Sequence, residues 1–164
     1  MGYEQFAEQA EKAGVDGVLT SDMPLEESDD FLTIMNKHGI DTIFLVAPTT
    51  TKARMKTIVK KAKGFIYYVS LKGVTGSASI DVSELDEKLK ILRQYTELPV
   101  GVGFGIRDGE SAALVSEVAD GVVVGSTLVN CIAEHEKTPE LLPVTVSMLV
   151  AEMRLAIDIK DAKK

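Results

Sequence analysis

The chain has 164 residues, a formal net charge of −7 and a mean hydropathy of +0.10. This length suits one domain with a substantial core, and an acidic chain without a basic stripe is a poor candidate for a nucleic-acid-binding protein. The single cysteine, Cys131, excludes a disulfide framework and fits a reducing cytoplasm, and no apolar run approaches the length of a membrane span. We therefore expect one cytoplasmic domain, residues 1–164, with neither a nucleic acid nor a membrane as partner.

Segments with helical spacing alternate with short apolar runs along the chain. The apolar stripes predict helices over residues 3–13, 31–38, 55–62, 85–92, 114–118 and 146–157, and the runs predict strands at 15–21, 42–46, 65–69, 100–104 and 121–124. Gly14, Gly39 and Gly64 follow the first three helices, which is the usual place for a terminating glycine. Ser83 and Asp108 are the predicted N-caps of the fourth and fifth helices.

The predicted strands are apolar on both faces, which is typical of a parallel sheet covered by helices. Five such strands could form an open doubly wound sheet, but no G-x-G-x-x-G follows the first strand. Glycines crowd the last three strands instead, which favours the order of a (β/α) barrel. Because a complete eight-stranded barrel has about 250 residues, we expect only part of one. The strands at 15–21 and 121–124 would then both be open edges.

Three glycine groups each follow a predicted strand. They are Lys72-Gly73-Val74-Thr75-Gly76, Gly101-Val102-Gly103-Phe104-Gly105-Ile106 and Val122-Val123-Val124-Gly125-Ser126. Glycine lets backbone N–H groups approach a phosphate without a Cβ in the way. Barrel enzymes often hold a phosphate on the loops after their last two strands, at the start of a short extra helix. The order of these groups therefore predicts a phosphate site.

The same segments resemble the tryptophan synthase alpha subunit family, and the resemblance runs along the whole chain. Residues 65–77 resemble a strand and the mobile active-site loop after it, and residues 14–27 resemble the fourth strand and its following loop. Residues 99–106 and 121–126 resemble the seventh and eighth strands. The resemblance implies an α/β fold of the (β/α)₈ TIM barrel family, here a partial barrel of about five parallel strands, numbers 4 to 8.

The resemblance also implies a lyase of tryptophan biosynthesis. In that family, aldol cleavage converts indole-3-glycerol phosphate to indole and glyceraldehyde 3-phosphate. Indole then passes to a beta subunit within an alpha2-beta2 heterotetramer. The pyridoxal phosphate (PLP) of that assembly belongs to the beta subunit, so no cofactor is expected on this chain. No Cys/His spacing in the sequence predicts a metal site either.

The resemblance implies a role in the site for individual residues of this chain. The loop that closes over substrate would contain Thr75 and Gly76. Backbone N–H groups would hold the phosphate, and they belong to Gly76, Gly105, Gly125 and Ser126. The indole pocket would use three side chains, those of Leu19, Tyr67 and Phe104. Asp22 would face the mouth of the site and help to order the loops and the partner contact.

The chain departs from the family at its amino-terminal side. The family's catalytic glutamate and its supporting aspartate lie on strand 2 and the loop after it, which correspond to nothing in this chain. We therefore expect no catalytic residue here, and an inactive chain when it is alone. Two alternatives stay open: a non-catalytic phosphate-binding half barrel, and another phosphate-binding barrel isomerase.

The sequence also predicts the exposure of three further residues. His38 and His135 lie in polar helical contexts without a partner motif, and we expect both at the surface. Cys131 is expected to be a small buried apolar residue.

Overall fold

A computed structural model describes residues 1–70, 81–103 and 105–162. Three predicted site residues, Thr75, Gly76 and Phe104, lie outside the described residues. The helices are α1 (Tyr3–Lys12), α2 (Asp29–Lys37), α3 (Lys52–Lys61), α4 (Val82–Leu92), α5 (Gly109–Ser116), α6 (Ser126–Glu134) and α7 (Leu142–Asp161). The strands are β1 (Gly17–Leu19), β2 (Asp41–Val46), β3 (Ile66–Val69), β4 (Val100–Gly103) and β5 (Gly121–Val123). Short 3₁₀ helices cover Leu25–Glu27 and Pro139–Leu141.

The five strands form one parallel sheet in the order β1-β2-β3-β4-β5. An open doubly wound sheet reverses direction at a switch point, so this consecutive order excludes it. The sheet therefore has β1 and β5 as its two edges, as predicted. Both edge strands are shorter than the sequence suggested, since β1 contains three residues.

Local signals explain where most helices begin and end. Gly14, Gly39 and Gly64 have φ of 76°, 69° and 69°, the left-handed backbone that glycine adopts readily after a helix. Asp108 caps α5 as predicted, and Ser111 completes a capping box. The predicted cap of α4 is wrong. Asp81 occupies that position because its carboxylate accepts the N–H of Glu84 at 3.1 Å, which places Ser83 inside the first turn.

The main core lies between the sheet and the helices α3, α4, α5 and α7. The even-numbered strand residues point into it, namely Phe44, Val46, Ile66, Tyr68, Val100 and Val102. A second core joins α1 to α2 around Ala7, Ala10, Phe31, Met35 and Ile40. The two cores place all the helices that pack on the sheet on one of its faces. We call the opposite face, which carries the odd-numbered strand residues, the inner face.

Helix α6 is an element that the sequence analysis missed. It begins at Ser126, three residues after β5 ends, and packs against α7. Its buried residue is Cys131, which is 8% exposed, so the expectation of a buried cysteine is confirmed. Within the described part of the chain, no helix has the length and apolar character that crossing a membrane requires.

Candidate functional site

All five strands are parallel, so the loops that follow them emerge at one end of the sheet. Leu19 ends β1, and Asp22 lies in the loop after it, where both residues are exposed. Gly105 follows β4, and Gly125 and Ser126 follow β5. The fold therefore brings the described members of the predicted site to the same end of the sheet. Their roles in binding stay predictions.

Aromatic side chains of β3 lie across glycines of β4 on the inner face. A Cβ added at Gly103 would lie 2.7 Å from Cε2 and Cζ of Tyr67, and closer still to its hydroxyl. One layer below, a Cβ at Gly101 would lie 3.3 Å from the ring of Phe65. Large and small residues thus alternate between neighbouring strands, as they do in the layers that fill barrel interiors. Tyr67 therefore lies on the inner face, against Gly103.

Tyr67 keeps its proton in this position. Partial burial raises the pKa of its hydroxyl, because burial disfavours the phenolate. At neutral pH, Tyr67 therefore offers a neutral ring and a hydrogen-bond donor.

The loop after β4 is tied to the start of α6. The hydroxyl of Thr127 donates to the carbonyl oxygen of Ile106 at 2.7 Å, and Ile106 is itself buried. Gly105, just before it, turns the chain with φ of 80°. This bond holds the Gly105 loop beside Gly125 and Ser126, the first residues of α6.

The start of α6 has the properties of an anion site. Gly125 is its N-cap, and no side chain caps it. The first N–H groups of a helix have no partner within the helix and form the positive end of its dipole. A Cβ added at Gly125 would meet nothing within 4 Å, so the space in front of this helix end is open. The backbone can therefore donate to a phosphate from two neighbouring loops.

Asp108, which follows the Gly105 loop, is engaged as the cap of α5. The carboxylate of Asp108 accepts the N–H of Ser111 at 2.8 Å, and this hydrogen bond is the main reason that its pKa is lowered. Asp108 thus remains charged at neutral pH while serving as the cap of α5. The described residues also contain no group of His, Cys, Asp or Glu side chains that could hold a metal ion.

The two histidines are partly buried rather than fully exposed, so the surface prediction holds only in part. The side chain of His38 is 11% exposed, and its Nδ1 lies 2.6 Å from a carboxylate oxygen of Glu11. His135 is partly buried, with Nδ1 2.9 Å from the carbonyl oxygen of Cys131. The acidic residues of α1 were the available signal for His38, but pairing across two helices cannot be derived from local spacing.

A family model of the tryptophan synthase alpha chain matches residues 1–158. The chain belongs to the tryptophan synthase alpha chain family. It is 61% identical over 158 residues to the tryptophan synthase alpha chain of Thioalkalivibrio sulfidiphilus, covering 96% of this chain and 59% of that relative. The alpha chain of Marinobacter nauticus is 52% identical over the same length, with 58% of it covered.

Solved structures of the family have the same fold. A crystal structure of tryptophan synthase subunit alpha from Legionella pneumophila superposes with a TM-score of 0.84 at 40% identity, covering 96% of this chain and 57% of that one. A Pyrococcus furiosus structure, described as the tryptophan synthase a2b2 complex, gives 0.80 at 37% identity, covering 93% and 60%. These matches confirm the predicted partial TIM barrel, and the chain spans about three fifths of the relatives it matches.

Proposed function

We propose that this chain forms the phosphate-binding side of a tryptophan synthase alpha site, which cleaves indole-3-glycerol phosphate to indole and glyceraldehyde 3-phosphate. Family membership supports the reaction. The hydrogen bond from Thr127 to Ile106, at 2.7 Å, supports the placement of the substrate phosphate between the Gly105 loop and α6. In this proposal the phosphate fixes one end of the substrate, and the inner face receives the indole ring.

Backbone groups would carry the phosphate. The N–H groups of Gly105, Gly125 and Ser126 are proposed as donors, together with Gly76, which lies outside the described residues. Glycine at two of these positions keeps side chains out of the approach. Donation from the backbone also fixes the phosphate more rigidly than a long, mobile lysine side chain would.

The indole ring would lie against the inner face near the ends of the strands. Tyr67 offers its ring face there, and Leu19 is 43% exposed at the end of β1. Phe104, outside the described residues, is the third proposed contact. We propose that Asp22, exposed after β1, helps to order the loops at the mouth.

The cleavage breaks the carbon–carbon bond between the indole ring and the glycerol chain. It needs one group that delivers a proton to the ring carbon and one that removes a proton from the glycerol hydroxyl. The described inner-face residues near the strand ends are apolar residues, glycines and Tyr67, with no carboxylate among them. We therefore propose that the chain alone binds the phosphate but does not cleave the substrate.

The proposed partner is a tryptophan synthase beta subunit, in an alpha2-beta2 assembly that receives the indole. The name of the Pyrococcus furiosus structure supports this assembly for a relative. PLP would be held by the beta subunit, and no cofactor is proposed for this chain.

Phosphate binding is tested by titrating the chain with glyceraldehyde 3-phosphate and following backbone amide resonances. The amides of Gly105, Gly125 and Ser126 should shift together. Gly125→Val should weaken binding by at least about tenfold, since its side chain would fill the open space at the start of α6. The control Lys72→Ala removes the charge at the start of the first glycine group, at a position outside the described residues, and should have a smaller effect. The reverse order of effects would contradict binding by the backbone.

The proposal that the chain alone does not cleave the substrate is tested by measuring indole release from indole-3-glycerol phosphate, with and without a beta subunit. Acid–base groups typically contribute about 10²–10⁴-fold to a rate, so the chain alone should fall at least that far below an intact alpha chain. Turnover within about tenfold of the intact chain would contradict the proposal. As a control, the assay is repeated after adding a second polypeptide. It corresponds to the part of the Thioalkalivibrio relative that this chain does not span. If that part never restores indole release, a non-catalytic phosphate-binding protein is favoured.

A further inference from the structure

The two backbone segments of the proposed phosphate site lie on different elements, and one side chain joins them. The loop after β4 contains Gly105, and the start of α6 contains Gly125 and Ser126. Thr127 lies in the first turn of α6, and its hydroxyl donates to the carbonyl oxygen of Ile106 at 2.7 Å. Since these two partners lie 21 positions apart in the sequence, the hydrogen bond links two loops and is not a local feature of the helix.

The loop after β4 is also fixed on its other side. The side chain of Ile106 is 5% exposed and belongs to the main core. The next two backbone N–H groups, those of Arg107 and Asp108, both donate to the hydroxyl oxygen of Ser111, at 3.0 and 3.2 Å. These two N–H groups are therefore occupied within the chain. What then decides how the loop lies against α6 is the bond between the Ile106 carbonyl and Thr127.

The first turn of α6 has N–H groups that no carbonyl of the helix can accept. The carbonyl oxygen of Gly125 accepts the N–H groups of Leu128 and Val129, at 2.9 and 3.1 Å. The N–H groups of Ser126 and Thr127 come before these and have no carbonyl within the helix to bind. They form the positive end of the helix dipole, which attracts any nearby acceptor. A carbonyl oxygen of the neighbouring loop is one such acceptor, and a phosphate is another.

We propose that Thr127 is a positioning residue of the phosphate site, a role that rests on the function proposed above. Its hydroxyl engages the Ile106 carbonyl, which keeps that oxygen from accepting the N–H groups at the start of α6. The same bond holds the N–H groups of Gly105 and Ser126 so that both can donate to one phosphate. Thr127 acts through the loop and not by donating its hydroxyl to the phosphate, because that proton is already donated to Ile106.

Threonine suits this role better than serine would. Its branched Cβ restricts rotation about χ1, so the hydroxyl stays directed at its acceptor. Thr127 is also half-buried, and a hydrogen bond that is shielded from water is stronger and more costly to lose. Two loops that are already held in place bind an anion more tightly, because less conformational freedom is lost on binding. Phosphate affinity should therefore fall in the order threonine, serine, valine at this position.

The test titrates the chain and its variants with glyceraldehyde 3-phosphate and follows backbone amide resonances. Thr127→Val keeps the shape of the side chain without its hydroxyl and should raise the dissociation constant by about five- to tenfold. Thr127→Ser restores the hydroxyl and should bind within about threefold of the unchanged chain. The matched control is Thr33→Val on α2, where the lost hydroxyl donates to the carbonyl oxygen of Asp29 at 2.8 Å, and it should leave binding unchanged. An unchanged affinity in Thr127→Val would overturn the role of Thr127.

A second readout of the same titration separates positioning from a general loss of stability. In the unchanged chain, the amides of Gly105 and Ser126 should shift along one binding curve. In Thr127→Val, the ligand that still binds should shift the Ser126 amide and move Gly105 much less, because the loop is no longer held beside α6. Loss of both responses in proportion would overturn the positioning role, and so would a Thr127→Ser chain that binds no better than Thr127→Val. If the unchanged chain shifts neither amide, the proposed function itself is overturned, and the role of Thr127 falls with it.

Discussion

Tyr67 occupies the space that a side chain at Gly103 would need. Its ring carbons lie 2.7 Å from the position of an added Cβ, while the same addition at Gly121 would find its nearest neighbour, the Cα of Gly101, at 3.9 Å. The two glycines lie on the same face of the sheet, on adjacent strands. Because their surroundings differ, comparing the same substitution at the two positions separates the effect of overpacking from the general effect of replacing a strand glycine.

Gly103→Ala should therefore lower the free energy of unfolding by about 1–3 kcal/mol, the usual cost of overpacking. Gly121→Ala should change it by less than about 0.5 kcal/mol. Urea denaturation, followed by far-UV circular dichroism at a fixed protein concentration, measures both. In a Tyr67→Ala background the cost of Gly103→Ala should largely disappear. An equal cost in the two backgrounds would show that the ring is not the cause.

At the scale of elements, α1 is held to α2 by a small core and by His38. The edge-to-face contact of Tyr3 with Phe31, 5.2 Å between ring centres, belongs to the same junction. The pKa of His38 is raised above its ordinary value of 6.5, mainly by the hydrogen bond with Glu11 and further by Glu4, while burial acts against the shift. Glu4 itself is paired with Lys37, which lowers its pKa. The folded state thus favours the imidazolium form.

This shift gives the attachment of α1 a definite pH dependence. A raised pKa stabilises the fold fully below pH 6.5, and the stabilisation is lost as the pH rises through the higher folded value. His38→Gln should therefore destabilise the protein at about pH 6 and have a smaller effect at about pH 9, as measured by melting temperature. Glu11→Gln should behave in the same way. The double variant should add little to either single change, and additive effects would contradict the pairing.

Local elements were predictable where one signal determined them. The glycines after α1, α2 and α3 and the capping aspartate of α5 act within a few residues, so the sequence located these helix ends. Asp81 and Ser83 are both good caps, and only the hydrogen bond to Glu84 decides between them. The length of β1 was overestimated because an apolar run does not show where its pairing with β2 stops.

Some features of the candidate site were likewise predictable from the sequence, and others were not. Glycine groups after the strands pointed to its loops, because glycine there lets backbone N–H groups approach a phosphate without a Cβ in the way. The sequence could not reveal that Thr127 binds Ile106, since the two residues lie on different loops and meet only in the fold. Nor could it show the ring of Tyr67 over Gly103, which depends on the register of β3 with β4.

For the whole molecule, the consecutive strand order implies a gradient of local stability. The inner strands β2, β3 and β4 each have two neighbours, and Val46, Ile66 and Val100 are fully buried there. The edge strands have one neighbour each within the chain. Amide hydrogen exchange should therefore be slower in β2, β3 and β4 than in β1 and β5. Uniform protection across all five strands would contradict this gradient.

The same strand order has a consequence for synthesis. Each of the strands β2 to β5 pairs with the strand that precedes it along the chain, so each pair can form once the later strand has left the ribosome. Among the described residues, none of these strand pairs waits for a distant segment, which keeps the entropy lost in closing loops small and the folding steps local. Nascent chains of increasing length should thus acquire protease resistance in steps of one strand and helix, beginning before translation is complete.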